Sequence, residues 1–158
     1  MGKARGTSAI EVLEEDHDYV KKSYRAFQKM DHEDLPAVQA LVKQVCAALK
    51  VHVRIEEEVF YPAVRKAIKD KDLMHEAEIE HDSAKTLIRQ LERMKPRDPK
   101  YIAAFTVLCE YIEHHVKEEE DEMFPKVRRA GVNLQALGRK LMARKVRLAG
   151  KPSSASRG

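Results

Sequence analysis

The chain has 158 residues, 43% of them hydrophobic and 35% charged, with six Gly, six Pro and two Cys. That is one domain's length with apolar material for a single core. It excludes a disulfide scaffold, a disordered polymer and a membrane-spanning helix, since no apolar run approaches about 20 residues. The net charge of +4 hides a division: residues 1–125 carry 20 basic and 26 acidic side chains, whereas residues 126–158 carry ten basic and none acidic. The first residues are basic, then acidic, with no apolar core of a secretory signal, so the expected location is cytoplasmic.

Four segments carry apolar residues at helical spacing. The first runs Ile10, Leu13, His17, Val20, Tyr24, Phe27, and Ser8 with Glu11 forms a capping box before it. The second runs Val38, Leu41, Val45, Leu49, His52, Glu56, Val59, with Asp34 and Pro36 at its start. The third runs Met74, Ala77, His81, Ala84, Ile88, Leu91 and stops at Pro96 and Pro99. The fourth runs Phe105, Leu108, Ile112, His115, Glu119, Met123, with Asp98 and Pro99 as cap and first turn, and Gly131 ends it. Pro62 and Pro125 fall inside helical patterns and predict a kink or an end nearby. A basic amphipathic helix follows from about Leu134 to Leu148, capped by Asn133, and then a Ser/Gly/Pro-rich flexible tail. The pattern predicts an all-α fold: an up-down-up-down four-helix bundle over residues 1–131, with a C-terminal basic helix and tail over 132–158.

Four His and two Glu stand where the interior stripes call for apolar residues. Buried imidazoles and carboxylates need partners, and six of them need a shared one. The chain also repeats itself. EEDHDYVK from Glu14 parallels EIEHDSAK from Glu78, pairing His17 with His81 at an offset of 64. The segment from Val45 to Pro62 parallels that from Leu108 to Pro125, pairing His52 with His115 and Glu56 with Glu119 at an offset of 63. Counted from the connecting turns, His17 and His52 fall at one level of the bundle, as do His81 and His115. Two such halves, each a lone His followed by His-x-x-x-Glu, would be related by a pseudo-twofold axis.

In His-x-x-x-Glu the two side chains lie one turn apart on one helix face, about 6 Å along the axis. The His can bind one metal while the Glu reaches across to a second. Two copies predict a two-metal site of His17, His52, Glu56, His81, His115 and Glu119. Nitrogen with carboxylate suits Fe, Mn or Zn ahead of Ca or Mg. Taken singly, an interior His is usually an ordinary core residue and a Glu in a run of Glu is usually solvated. The duplicated order is what raises the metal reading above that. The neighbouring carboxylates Glu57, Glu118, Glu120 and Glu122 are expected at the surface or behind the ligands, and His32, His75 and His114 are expected to be exposed. Tyr111 and Tyr24 lie one and two turns from a ligand His, and either could support the site. Cys46 and Cys109 read as small buried core residues.

The order His17, His52-Val-Arg-Ile-Glu56, His81, His115-Val-Lys-Glu-Glu119, with the followers ending in Pro62 and Pro125, resembles the hemerythrin-like, or HHE cation-binding, family over about Ile10 to Ala130. The resemblance implies a bundle holding two iron ions, oxo- or hydroxo-bridged, with Mn or Zn as less favoured occupants. It implies a small diatomic or peroxide ligand: O2, NO or peroxide. Oxygen-carrying members have a second His one turn after the third-helix His, where this chain has Lys85, and a final Asp five residues after the last His, where this chain has Glu119 at four. These departures shift the expectation from oxygen carriage toward iron homeostasis and oxidative or nitrosative stress, with peroxide decomposition or another redox activity as the enzymatic form. A sensing or binding module without catalysis is the alternative, and a zinc hydrolase is disfavoured because no Ser or Cys nucleophile accompanies the ligands. The basic helix is expected to pack back on the acidic bundle, with nucleic-acid docking the weaker reading. A monomer or dimer without membrane association is expected.

Overall fold

A computed structural model describes residues 7–150 of the chain. The flexible tail expected after Gly150 lies outside the described residues, as do residues 1–6. The described residues form α1 (Ala9–Lys29), α2 (Leu35–Ile55), α3 (Tyr61–Ala67), α4 (Lys71–Arg93), α5 (Tyr101–Glu118), α6 (Phe124–Arg129) and α7 (Leu134–Gly150). No strand occurs among them. No helix among them is long and apolar enough to cross a membrane.

Local chemistry sets the helix ends. Ser8 and Glu11 form the reciprocal capping box that starts α1. Asp34 accepts from the Ala37 amide ahead of α2, and Asp70 from the Leu73 amide ahead of α4. Helix α5 begins two residues later than Pro99 suggests: Asp98 accepts from the Lys100 amide, making a turn before Tyr101. Gly131, at φ 75°, supplies the left-handed residue after α6. Asn133 accepts from the Ala136 amide and opens α7.

The two internal prolines do not end their helices. Each lies just beyond a single π-helical turn, Glu56–Phe60 before Pro62 and Glu119–Met123 before Pro125. The Tyr61 amide bonds to the Glu56 carbonyl, and the Phe124 amide to the Glu119 carbonyl, five residues back. A proline ring crowds the carbonyl four residues before it, and the wider turn relieves that contact. Both widened turns therefore begin on a predicted ligand.

Helix α1 packs on α2 and α5, α2 on α4, and α4 on α5, while α7 lies along α1 and α2. The core has two apolar clusters. One gathers Val20, Tyr24, Phe27, Val45, Leu49, Ile88, Phe105 and Ile112. The other gathers Ile10, Leu13, Ile55, Phe60, Tyr61, Met74, Phe124 and Leu141. In α1, His17 falls between Leu13 of the second and Val20 of the first. The six predicted ligands are the buried polar or charged residues that stand between these clusters, none more than 6% exposed. Cys46 and Cys109 are free and buried in the first cluster, where burial pushes the Cys46 thiol up to about 12 and raises Cys109 as well.

Candidate metal centre

The bundle brings all six residues together. His17, His52, Glu56 and Glu119 form one group, and Glu56, His81, His115 and Glu119 form another. Within each group one ligand-type atom per residue lies within 4.8 Å of the others. Both groups contain Glu56 and Glu119, so the arrangement is two positions joined by two shared carboxylates. The imidazoles pair as the levels in sequence predict: the His17 and His52 rings are 5.1 Å apart, and those of His81 and His115 are 4.9 Å apart.

Behind each imidazole stands a carboxylate. His17 Nδ1 meets Glu120 at 2.8 Å, and His52 Nδ1 meets Asp16 at 2.8 Å. His81 Nδ1 meets Glu57 at 2.9 Å, and His115 Nδ1 meets Glu80 at 2.5 Å. A carboxylate on Nδ1 holds that nitrogen as an N–H donor and turns Nε2 inward, where it can bind a metal once any proton on it is lost. The four follow the repeat, with Asp16 and Glu80 preceding His17 and His81, and Glu57 and Glu120 following Glu56 and Glu119. Lys85, which stands where oxygen carriers have a histidine, donates to Glu57 at 2.9 Å. Its repeat partner Lys21 lies 3.8 Å from Glu120.

The inward-facing atoms test whether a metal fits. His17 Nε2, His52 Nε2, Glu56 Oε2 and Glu119 Oε1 are buried without a hydrogen-bond partner. His17 Nε2 is 3.2 Å from Glu119 Oε1 but is not aligned for a hydrogen bond. Buried polar atoms are normally satisfied, and four converging orphans ask for a common partner. Two nitrogens and two carboxylate oxygens are the donors that Fe, Mn or Zn accept. The residues fit the metal.

Charge points the same way. Burial alone would push the His52 imidazole down, but the Glu56 carboxylate and the Asp16 hydrogen bond lift it to about 10. His115 is likewise raised against its burial, chiefly by Glu119. Burial would raise Glu56, yet the His52 charge and the His81 and His115 imidazoles around it hold it well below the usual carboxylate range. The two buried carboxylates thus draw positive charge to the centre, which protons on histidine or a bound metal ion would supply.

One residue at the centre was not anticipated. The Tyr61 hydroxyl donates to Glu119 Oε2 at 2.5 Å and lies 3.3 Å from Glu56 Oε1. It is also 3.3 Å from His81 Nε2 and 3.4 Å from His115 Nε2. Burial, with Glu119 and Glu56 nearby, pushes its phenol well above the ordinary range. Its repeat counterpart, Phe124, has no hydroxyl and stacks on His17 at 6.0 Å. The tyrosines suggested by helical spacing lie elsewhere: Tyr24 is buried in the first apolar cluster, and Tyr111 is half-buried without a hydrogen bond to the six. His75 and His114 are exposed, whereas His32 is half-buried, bonding the Phe27 carbonyl at 2.8 Å and stacking on its ring.

Residues 8–127 match the hemerythrin HHE cation binding domain. The chain belongs to that family. It is 31% identical over 115 residues to the uncharacterised protein Rv2633c of Mycobacterium tuberculosis, covering 71% of this chain and 70% of that one. It is 28% identical over 118 residues to a DNA nickase of Nostoc sp., covering 75% of this chain but 33% of the nickase, so the chain spans about a third of that relative's length. Among solved structures it resembles an HHE cation-binding domain protein of Mycobacterium kansasii, a homologue of Rv2633c. There the TM-score is 0.76 at 29% identity, over 91% of this chain and 88% of that one. The HHE domain and the buried His/Glu cluster together fit the binding of metal ions.

Proposed function

We propose that this HHE protein holds two iron ions in an up-down-up-down bundle and reacts with a small oxidant or diatomic molecule, peroxide, O2 or NO. The observation that carries the reading is the sharing of Glu56 and Glu119 between two His pairs. His17 and His52 would hold one ion, His81 and His115 the other, and the two glutamates would serve both. Bound iron would supply redox electrons; the chain supplies position, a proton and a small confined space.

A cavity of about 20 Å³ lies against His17, His52, His81 and His115, walled by Asp16, Val20, Leu49, Val53, Ile112 and Val116. That is space for one or two water-sized molecules, and it excludes extended substrates. Tyr61 keeps its proton at neutral pH and points it at the pair of carboxylates, so it can donate to an oxygen arriving at the His81/His115 side. Peroxide decomposition uses such a donor, and oxygen carriage does not require one.

Metal analysis and anaerobic mixing test this. We expect about two irons per chain and a change in the optical spectrum when peroxide, O2 or NO is added to the reduced protein. Silence toward all three reagents would overturn the reading of function, and a chain that takes up no metal would overturn the reading of the site.

A further inference from the structure

The carboxylates behind the imidazoles are themselves held from further out, and here the halves differ. Glu57 and Glu120 face lysines of the bundle, Lys85 and Lys21. Glu80 faces the exposed His114 at 3.8 Å. Asp16 accepts from Lys145 Nζ at 2.6 Å, and Lys145 belongs to α7, beyond the span matched by the family domain.

Packing, more than charge, fixes α7 there. Leu137 and Leu141 are buried in the cluster with Ile10 and Leu13. Gly138 lies so close to α1 that an added Cβ would stand 2.6 Å from the Thr7 carbonyl oxygen and 2.9 Å from the Ala9 nitrogen. Lys145 is two turns beyond Gly138, and Asp16 is two turns beyond Ala9. The two helices advance together, and their pairing brings Lys145 onto the carboxylate that holds His52. Asp16 spends one oxygen on Lys145 and the other on His52 Nδ1. A half-buried aspartate tethered at both oxygens cannot rotate its carboxylate toward solvent. Glu80 has a longer side chain and no lysine.

We propose that Lys145 is a positioning residue for the metal centre: by fixing Asp16 it fixes His52, so that docking of α7 and occupancy of the His17/His52 position are coupled while the His81/His115 position is untouched. This rests on the dinuclear reading above. Coupling is reciprocal, so an ion at that position also tightens α7.

The test is Co2+ titration of the full chain, followed by visible absorption, with Lys145→Met, Lys145→Arg, Asp16→Asn and Asp16→Asn/Lys145→Met. Methionine keeps a stem of similar length without the charge, and unfolding of the metal-free variants checks the fold. In Lys145→Met one of two binding steps should weaken about tenfold, the step that His52→Ala also removes, and Lys145→Arg should restore it. Asp16→Asn should weaken the same step, with no further loss in the double variant. Hydrogen exchange should show Co2+ protecting α7 amides in the parent chain and not in Lys145→Met. Unchanged titration, equal weakening of both steps, or a Lys145→Met effect that persists on Asp16→Asn would overturn the proposal. A parent chain that binds no Co2+ would instead overturn the dinuclear reading.

Discussion

The helix pair before residue 69 and the pair after it carry the same inward-facing donors and differ in what surrounds them. Each pair contributes two imidazoles, one shared carboxylate and the carboxylates that hold the imidazoles from behind. The first pair also carries Tyr61 and is buttressed by α7. The second has Phe124 in the tyrosine's place and an exposed His114 beside Glu80. Because Tyr61 and Phe124 each reach across to the opposite half, the hydroxyl serves His81 and His115 while the bare ring packs on His17. Repetition accounts for the two groups of ligand-type atoms, and the differences between the copies make the two groups chemically unlike.

The largest break in the comparison comes from a residue that both positions share. Glu56→Ala should leave less than about half an ion per chain by metal analysis, whereas His52→Ala should retain about one, because its loss affects a single group. Equal losses in the two variants would contradict a shared carboxylate.

Tyr61→Phe makes the halves alike. With iron loaded, peroxide decomposition should slow by at least about tenfold, as expected when a positioned proton donor is removed, with iron content unchanged. Adding Phe124→Tyr would show whether a hydroxyl on the other side can substitute.

Loading the site should reverse the response to pH. His52 is raised from 6.5 to about 10, so its stabilising contribution is complete below pH 6.5 and is lost as pH rises through 10. Glu56 is depressed below 4.5, so its contribution is complete above that pH and is lost as pH falls through the lowered value. From these groups the metal-free bundle should be most stable between pH 4.5 and 6.5 and should weaken toward pH 10. The loaded protein should gain stability over that upper range, because ions displace the protons. About two protons should be released per chain on loading at pH 7. Thermal unfolding across pH and unbuffered titration measure these effects.

Gly138→Ala sharpens the comparison at lower amplitude. The new methyl group meets the backbone of Thr7–Ala9, so urea unfolding should show a loss of about 1–3 kcal/mol.

The six clustered residues were legible because two signals agreed, the interruption of apolar stripes and the repetition at 63 and 64. Capping at Ser8, Asp34 and Asn133 was equally local and equally readable. Tyr61 was not legible, for a geometric reason. On a regular α-helix a residue five positions after Glu56 lies about 140° around the axis. The π turn adds a residue to that revolution and brings Tyr61 back over the glutamate. Proline at 62 signalled a disturbance but not its kind. The one available hint was that the repeat places Tyr opposite Phe. Asp16 and Glu80 stand in the repeated EEDH and EIEH motifs, but which imidazole each holds depends on how the helices approach.

The closeness of Gly138 to α1 has a consequence for how this protein could be rebuilt. Two identical helix pairs, assembled as a symmetric dimer, could present four histidines and two glutamates to a pair of ions. They could not offer one ion a tyrosine and the other a phenylalanine, nor seat a single extra helix against one face. Fusing the copies into one polypeptide removes that restriction. A repeated scaffold in one chain can differ between its copies, as residues 61 and 124 do, and can carry a helix such as α7 on one face alone.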